Sequence, residues 1–290
     1  MNERTRTISL ALIIVIGIVP TVALSRFIDA QRPRVESGTS EESLYLNAKT
    51  ARRLSLGFNG LAADWYWMRS LQYVGRKIIR ADQNVAIDDL KQLDLKLLAP
   101  LLENATTLDP QFLDPYEYAA VVLPSIDVQE AIRITLKGIE ANPNAWRLYQ
   151  HLGYIYWQQG DYATAAEVYG RGAALPGAPV WMEAMKARMS AEGGSRTTAR
   201  EIYTRMFEQS ADEKVKDMAQ RRLMQLDSLD QRDALRKLLV AYRTRTGRCP
   251  ENWREINLPG APLDPSGTPY VLNAYKCDVE LDSRSEIIVK

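Results

Sequence analysis

The residues that could do chemistry are few. His151 is the single histidine in a chain of 290 residues. It stands between Gln150 and Leu152, with no second histidine, no nearby cysteine and no metal-ligand spacing. A lone ring on a helix reads as a surface or packing residue. Cys249 and Cys277 are the only cysteines, too far apart for a C-x-x-C redox pair. Acidic side chains are scattered rather than paired. No phosphate loop, nucleophile elbow or paired-histidine zinc motif occurs, and Gly193-Gly194 fits a helix turn rather than a phosphate cradle. No catalytic, cofactor-binding or metal residue is therefore assigned, and no cofactor or small-molecule substrate is expected. An enzyme remains a minor alternative, one that carboxylates meeting His151 in space would revive. Apolar residues at 46% and charged residues at 25% suit an ordinary folded protein, and a net charge of +1 gives no global case for nucleic acid. Six Trp and fourteen Tyr against four Phe point to half-buried helix faces and interfaces.

The stretch that must position these aromatics is Trp146 to Pro176, which reads as two helices joined by a tight Gln-Gly-Asp turn. Leu148, Tyr149, Leu152, Gly153 and Tyr156 lie on the first; Ala165, Ala166, Val168 and Tyr169 lie on the second. The unit repeats. With Phe112, Trp146 and Val180 set equivalent, the period is 34 residues. Ala119, Gly153 and Ala187 then align, as do Ala131, Ala165 and Ala199; Thr135, Tyr169 and Tyr203; and Gly138, Gly172 and Met206. The turn glycines Gly160 and Gly194 also align, and Pro143 and Pro176 close two units.

This pattern resembles the tetratricopeptide repeat family. The match is best in the central unit; Pro115 and Glu183 stand where the flanking units should carry a large hydrophobe. The resemblance implies a mostly α fold, an α-α solenoid in which stacked helix pairs bury what one pair cannot. It also implies a concave groove lined by the first helix of each unit. Carried across residue by residue, the groove set is Tyr116, Arg147, Gln150, Tyr154, Trp157, Trp181 and Arg188. Aromatics and Arg are overrepresented at energetic anchors of interfaces. A groove filled by the chain's own flanking helices is the competing reading.

Upstream, Ile8 to Leu24 carries no charge. As a helix it spans roughly 25 Å, the short end of a membrane span. Three readings stand: a retained signal anchor, a cleaved signal peptide with a small-x-small site at Thr21-Val22-Ala23, and a buried soluble helix. The first is preferred, with a cytoplasmic N-terminus, a single-pass inner-membrane topology and the bulk of the chain in a bacterial periplasm. The expected organisation is a transmembrane anchor over 1–28, a linker over 29–43 and an aromatic-rich helical region with a degenerate repeat over 44–110. Three repeat units follow over 111–211, then helices over 212–247. In the aromatic region a helix is expected from Gly57 to Arg80, and Trp65 and Trp67 cannot face the same way on it: one packs, the other is a possible interface. A helical region from Asp82 to Leu108 is expected to break or kink at Pro100.

Two C-terminal helices are expected, Asp212 to Leu229 and a second capped by Asp230 and stopped by Gly247. Residues 248–290 form a small Pro/Gly-rich cap with strands at Tyr270 to Leu272 and Glu286 to Val289. Leu239-x-x-Tyr242, Gly247, Pro250 and Leu263-Asp264-Pro265-Ser266-Gly267-Thr268-Pro269-Tyr270 resemble the soluble part of type II secretion major pseudopilins, with Ser266 in place of that family's usual Trp. Cys249 and Cys277 bracket this block. In an oxidising compartment they would pair; in the cytosol two free thiols are expected.

The function expected from these features is a membrane-anchored, periplasm-facing scaffold. It would bind protein or peptide partners and support an envelope complex, with pilus or secretion machinery as one setting. A permanent structural subunit of a bacterial membrane complex is the alternative.

Overall fold

The computed structural model describes residues 48–81 and 90–287 and, upstream, residues 18, 20, 22, 23 and 26. The chain divides into two compact units, Met1–Ala51 and Arg52–Lys290. In the first, Ile18, Pro20, Val22, Ala23 and Arg26 are helical and exposed, and α1 (Ala48–Leu54) begins.

The expected membrane anchor is corrected here. Among the described residues no helix is long and apolar enough to cross a membrane. Most of 1–28, and all of the linker 29–43, lie outside the described residues. Read from sequence, the uncharged run would span roughly 25 Å as a helix against a hydrocarbon core of about 30 Å, and Pro20 falls within it. The single-pass inner-membrane topology, the periplasmic placement and the envelope complex all followed from that span, and they are withdrawn with it.

The second unit is mostly α: stacked helices followed by a small two-stranded sheet. α2 (Asn59–Arg80) packs on α3 (Leu98–Leu108). Pairs then follow: α4 (Leu113–Val122) with α5 (Val128–Ala141), α6 (Trp146–Gln158) with α7 (Tyr162–Ala173), and α8 (Trp181–Glu192) with α9 (Arg196–Gln209). Each also packs on the next helix in the chain, and α4 touches α6 directly. The second helices of these three pairs start at equivalent positions 34 residues apart. Asp127 accepts from the Glu130 amide and Asp161 from the Thr164 amide, caps that answer otherwise orphaned amides at the helix starts. Ser195, at the third equivalent position, instead bonds Thr198 through its hydroxyl.

The aligned small residues explain the close stacking. Ala119, Ala131, Ala165, Ala187 and Ala199 are fully buried. At Gly153 a Cβ would lie 2.8 Å from Cδ2 of Tyr169, so only glycine admits that ring. In the first unit Pro115 takes the position of Tyr149, and the neighbouring Tyr116 fills the slot instead. Its ring lies against Gly138, as Tyr149 lies against Gly172. Tyr116 is completely buried and donates to the Thr106 carbonyl at 3.2 Å. It is therefore a core residue rather than a groove contact.

Three further expectations change. The helix expected from Asp82 cannot be followed through 82–89, which lie outside the described residues. Lys91–Leu93 form a single 3-10 turn, and α3 starts only at Leu98. Pro100 sits in its first turn, where an amide has no intrahelical acceptor to lose, so it neither breaks nor kinks the helix. The two C-terminal helices are one, α10 (Glu213–Thr246), because nothing near Asp230 interrupts helical hydrogen bonding. Asp230 pairs with Arg196 and Arg200 rather than capping. Gly247, in the left-handed region with φ 77°, ends α10.

In the tail, β1 (Val271–Asn273) pairs antiparallel with β2 (Asp278–Glu280), Leu272 opposite Val279. The second strand thus lies before the expected Glu286 to Val289, whose Ile287 is buried in the tail and whose last residues lie outside those described. Cys249 and Cys277 are joined, their Cα atoms 5.6 Å apart, which ties the hairpin to the loop after α10. Leu239, Tyr242, Ile256, Tyr270 and Val279 form a core between α10 and the hairpin.

Candidate functional site

The first helices of the three repeat pairs line a cleft of about 400 Å³. α4 and its following turn contribute Val121 and Pro124, α6 contributes Gln150, His151 and Tyr154, and α8 contributes Trp181 and Met185. The helical period explains the set. Leu148, Tyr149, Leu152 and Ile155 turn into the core, which leaves Gln150 and Tyr154, one turn apart, on the opposite face of α6. Tyr154 is 47% exposed and Trp181 42% exposed, although both are large rings. Tyr169 closes the floor from α7, and burial pushes its hydroxyl up to about 12, so it stays neutral.

The other groove residues do not line this cleft. Tyr154 meets Trp157 edge-on, centroids 5.6 Å apart, and Trp181 meets Trp146 at 6.1 Å. The Arg188 guanidinium lies 4.6 Å over the Trp157 ring. Glu192 accepts from both: from the Trp157 indole N–H at 3.0 Å and from Arg188 Nε at 2.7 Å. Trp157 and Arg188 are thus locked in place by an intramolecular acceptor. Arg147 is exposed and stacks over Trp146 at 5.5 Å.

Gln150, Tyr154 and Trp181 are brought together in the cleft; Trp157, Arg188 and Arg147 are outside its lining, and Tyr116 lies elsewhere in the core. His151, read from sequence as a surface or packing residue, lines the cleft. Burial, with the Arg147 charge second, pushes its pKa below the usual imidazole value. No spacing in the sequence signals Val121, Pro124 or Met185, because the cleft is made by three helices converging. Among the described residues no group of three or more His, Cys, Asp or Glu is placed to hold a metal ion. Of the aromatic pair on α2, Trp67 packs edge-on against Tyr118 at 5.2 Å and Phe112 at 6.2 Å. Trp65 is 53% exposed beneath Arg69.

Fold and cleft together define a protein of stacked helical pairs with an aromatic concave surface. The chain matches no protein-family model. A stretch of 82 residues, 28% of this chain, is 35% identical to tetratricopeptide repeat protein 13 of Homo sapiens. That stretch covers 9% of the human protein, so this chain spans less than a tenth of the relative it matches. The similarity supports the repeat reading of the stack; it covers too little of either protein to carry more.

Proposed function

We propose that the helical stack is a protein-binding scaffold that acts by binding rather than by catalysis. A short segment of a partner protein would be received in the cleft of α4, α6 and α8. One observation carries this reading: Tyr154 and Trp181 stay exposed in the lining of one cleft while the aligned stacking positions are buried. Rigid aromatics held by neighbouring rings contribute contact area at small entropic cost. Gln150 offers an amide to a backbone, the lining holds no Asp, Glu, Lys or Arg, and burial holds the His151 pKa below the usual imidazole value. A partner segment with apolar side chains and free backbone amides suits that lining.

The test is recovery of partners by the full chain and by a Tyr154→Ala, Trp181→Ala variant with unchanged helical circular dichroism. Loss of the specific partners from the variant is expected. Equal recovery by both forms would remove the cleft from the account.

A further inference from the structure

α2 stands at the N-terminal end of the described stack and packs on α3. Ala63, Tyr66, Ser70, Tyr73 and Val74 give it one buried face. The end helix of a stack stays soluble by carrying polar residues on its outer side. α2 does not. Leu61, Trp65, Met68, Gln72, Gly75 and Ile79 run along that side at alternating steps of four and three residues. This is the heptad seam by which one helix packs along another. Its large apolar residues are exposed, from 52% at Met68 to 84% at Ile79. The seam itself holds no charged residue; Asp64 and Arg69 flank it on its two sides.

Gly75 supplies a second observation. Glycine inside a helix is destabilising relative to alanine, and it is kept where a backbone must come close. A Cβ at Gly75 would meet nothing within 4 Å, so no contact within the chain calls for glycine there. A second helix laid along the seam would call for it.

We propose that the outer face of α2 is the interface between two copies of this chain, the two α2 helices lying antiparallel about a two-fold axis between Tyr66 and Trp67. The area fits. The exposed parts of the seam, with exposed Phe58 at the helix start, amount to roughly 600 Å² per copy, against about 800 Å² per partner in a standard stable interface. The sequence is also self-complementary about that axis, as a two-fold interface requires. Trp65 falls opposite Met68 of the second copy, Leu61 opposite Gln72, and Phe58 opposite Gly75, so the bulkiest rings meet slimmer neighbours. A parallel pair would instead set Trp65 on Trp65 and gather the basic last turns, with Lys77 and Arg80, at one end. The antiparallel pair keeps those ends apart. None of these residues lines the cleft of α4, α6 and α8, so the interface stands or falls independently of it.

The test is analytical ultracentrifugation of the full chain over a range of concentrations, with crosslinking to fix the orientation. A reversible monomer–dimer equilibrium is expected. Trp65→Asp and Met68→Asp should each weaken association by about a hundredfold or more, because each change enters the interface twice. Gly75→Leu, which favours the helix itself, should weaken association as well, an effect that a purely structural role for Gly75 would not give. Thermal melts identify any variant that is unfolded, and the remaining ones then carry the test. Mild oxidation of a mixture of Leu61→Cys and Gln72→Cys proteins should give the mixed disulfide dimer, while Gln72→Cys alone should not crosslink. A chain that stays monomeric at every concentration would overturn the proposal, whether its α2 face then takes phospholipid vesicles, a helix of another protein or nothing. So would a dimer unchanged by folded Trp65→Asp, Met68→Asp and Gly75→Leu, or efficient crosslinking of Gln72→Cys to itself.

Discussion

At Gly153 a hydrogen atom stands where any other residue would drive a carbon into the Tyr169 ring. That ring is 2% exposed. Gly153→Ala should therefore lower stability by about 1–3 kcal/mol through overpacking, read from a denaturant melt of the full chain. An Ala substitution at exposed Glu167 on α7 should change little. The sequence made Gly153 legible because stacking demands a small residue at a fixed period. Tyr116 shows the limit of that logic. Counting by 34 places it on the groove, but a proline stands at the aligned core position and Tyr116, one residue on, fills the aromatic slot. His151 shows another limit: a lone histidine has no spacing to read, and its place in the cleft depends on the packing of neighbouring helices.

Elements carry their own tests. The C-terminal hairpin is fastened to α10 by the disulfide, by Arg236 on Asp278, and by the Tyr270 hydroxyl, which donates to Ser228 Oγ at 3.0 Å. The disulfide closes a separation of 28 residues, so reduction should cost the tail about 2–4 kcal/mol. Fluorescence of Trp253, which packs against this small core, should report the loss while helical circular dichroism is retained. Asp264 gives the same element a pH dependence. Burial alone would raise its pKa, but hydrogen bonds from Ser266, Ser285 and Thr268 outweigh burial and hold it below the ordinary value. The stabilisation is then fully present above the unfolded value of about 3.9 and lost as pH falls through the lower folded value. Acid titration should loosen the tail below about pH 4, and Asp264→Asn should destabilise it at neutral pH and flatten that acid transition. The turn around Asp264 was visible in the sequence as an Asp-Pro-Ser-Gly run. The first strand after it was legible at Tyr270 to Leu272, one residue before β1, but the second was not, because three-residue strands are set by tertiary pairing rather than by alternation. The continuity of α10 was hidden for a related reason: Asp230 is a residue type that often caps, and only its pairing with Arg196 and Arg200 shows that here it does not.

For the whole molecule, the repeat organisation was the most legible feature, since every stacked pair writes the same small and aromatic residues into the chain. The inferred membrane anchor rested on hydropathy alone. Among the described residues no helix has the length and apolarity to cross a membrane, and the scaffold reading no longer depends on one. Its central claim is that partners are received on the concave side. Photo-crosslinking in cells measures this most directly, with benzoyl-phenylalanine placed in separate full-length proteins at Tyr154, Trp181 and exposed Glu167. The account predicts discrete protein adducts from positions 154 and 181, lost on competition by unlabelled protein, and none from 167. Adducts arising equally from 167, or no adducts from 154 and 181 while the protein is folded, would contradict it.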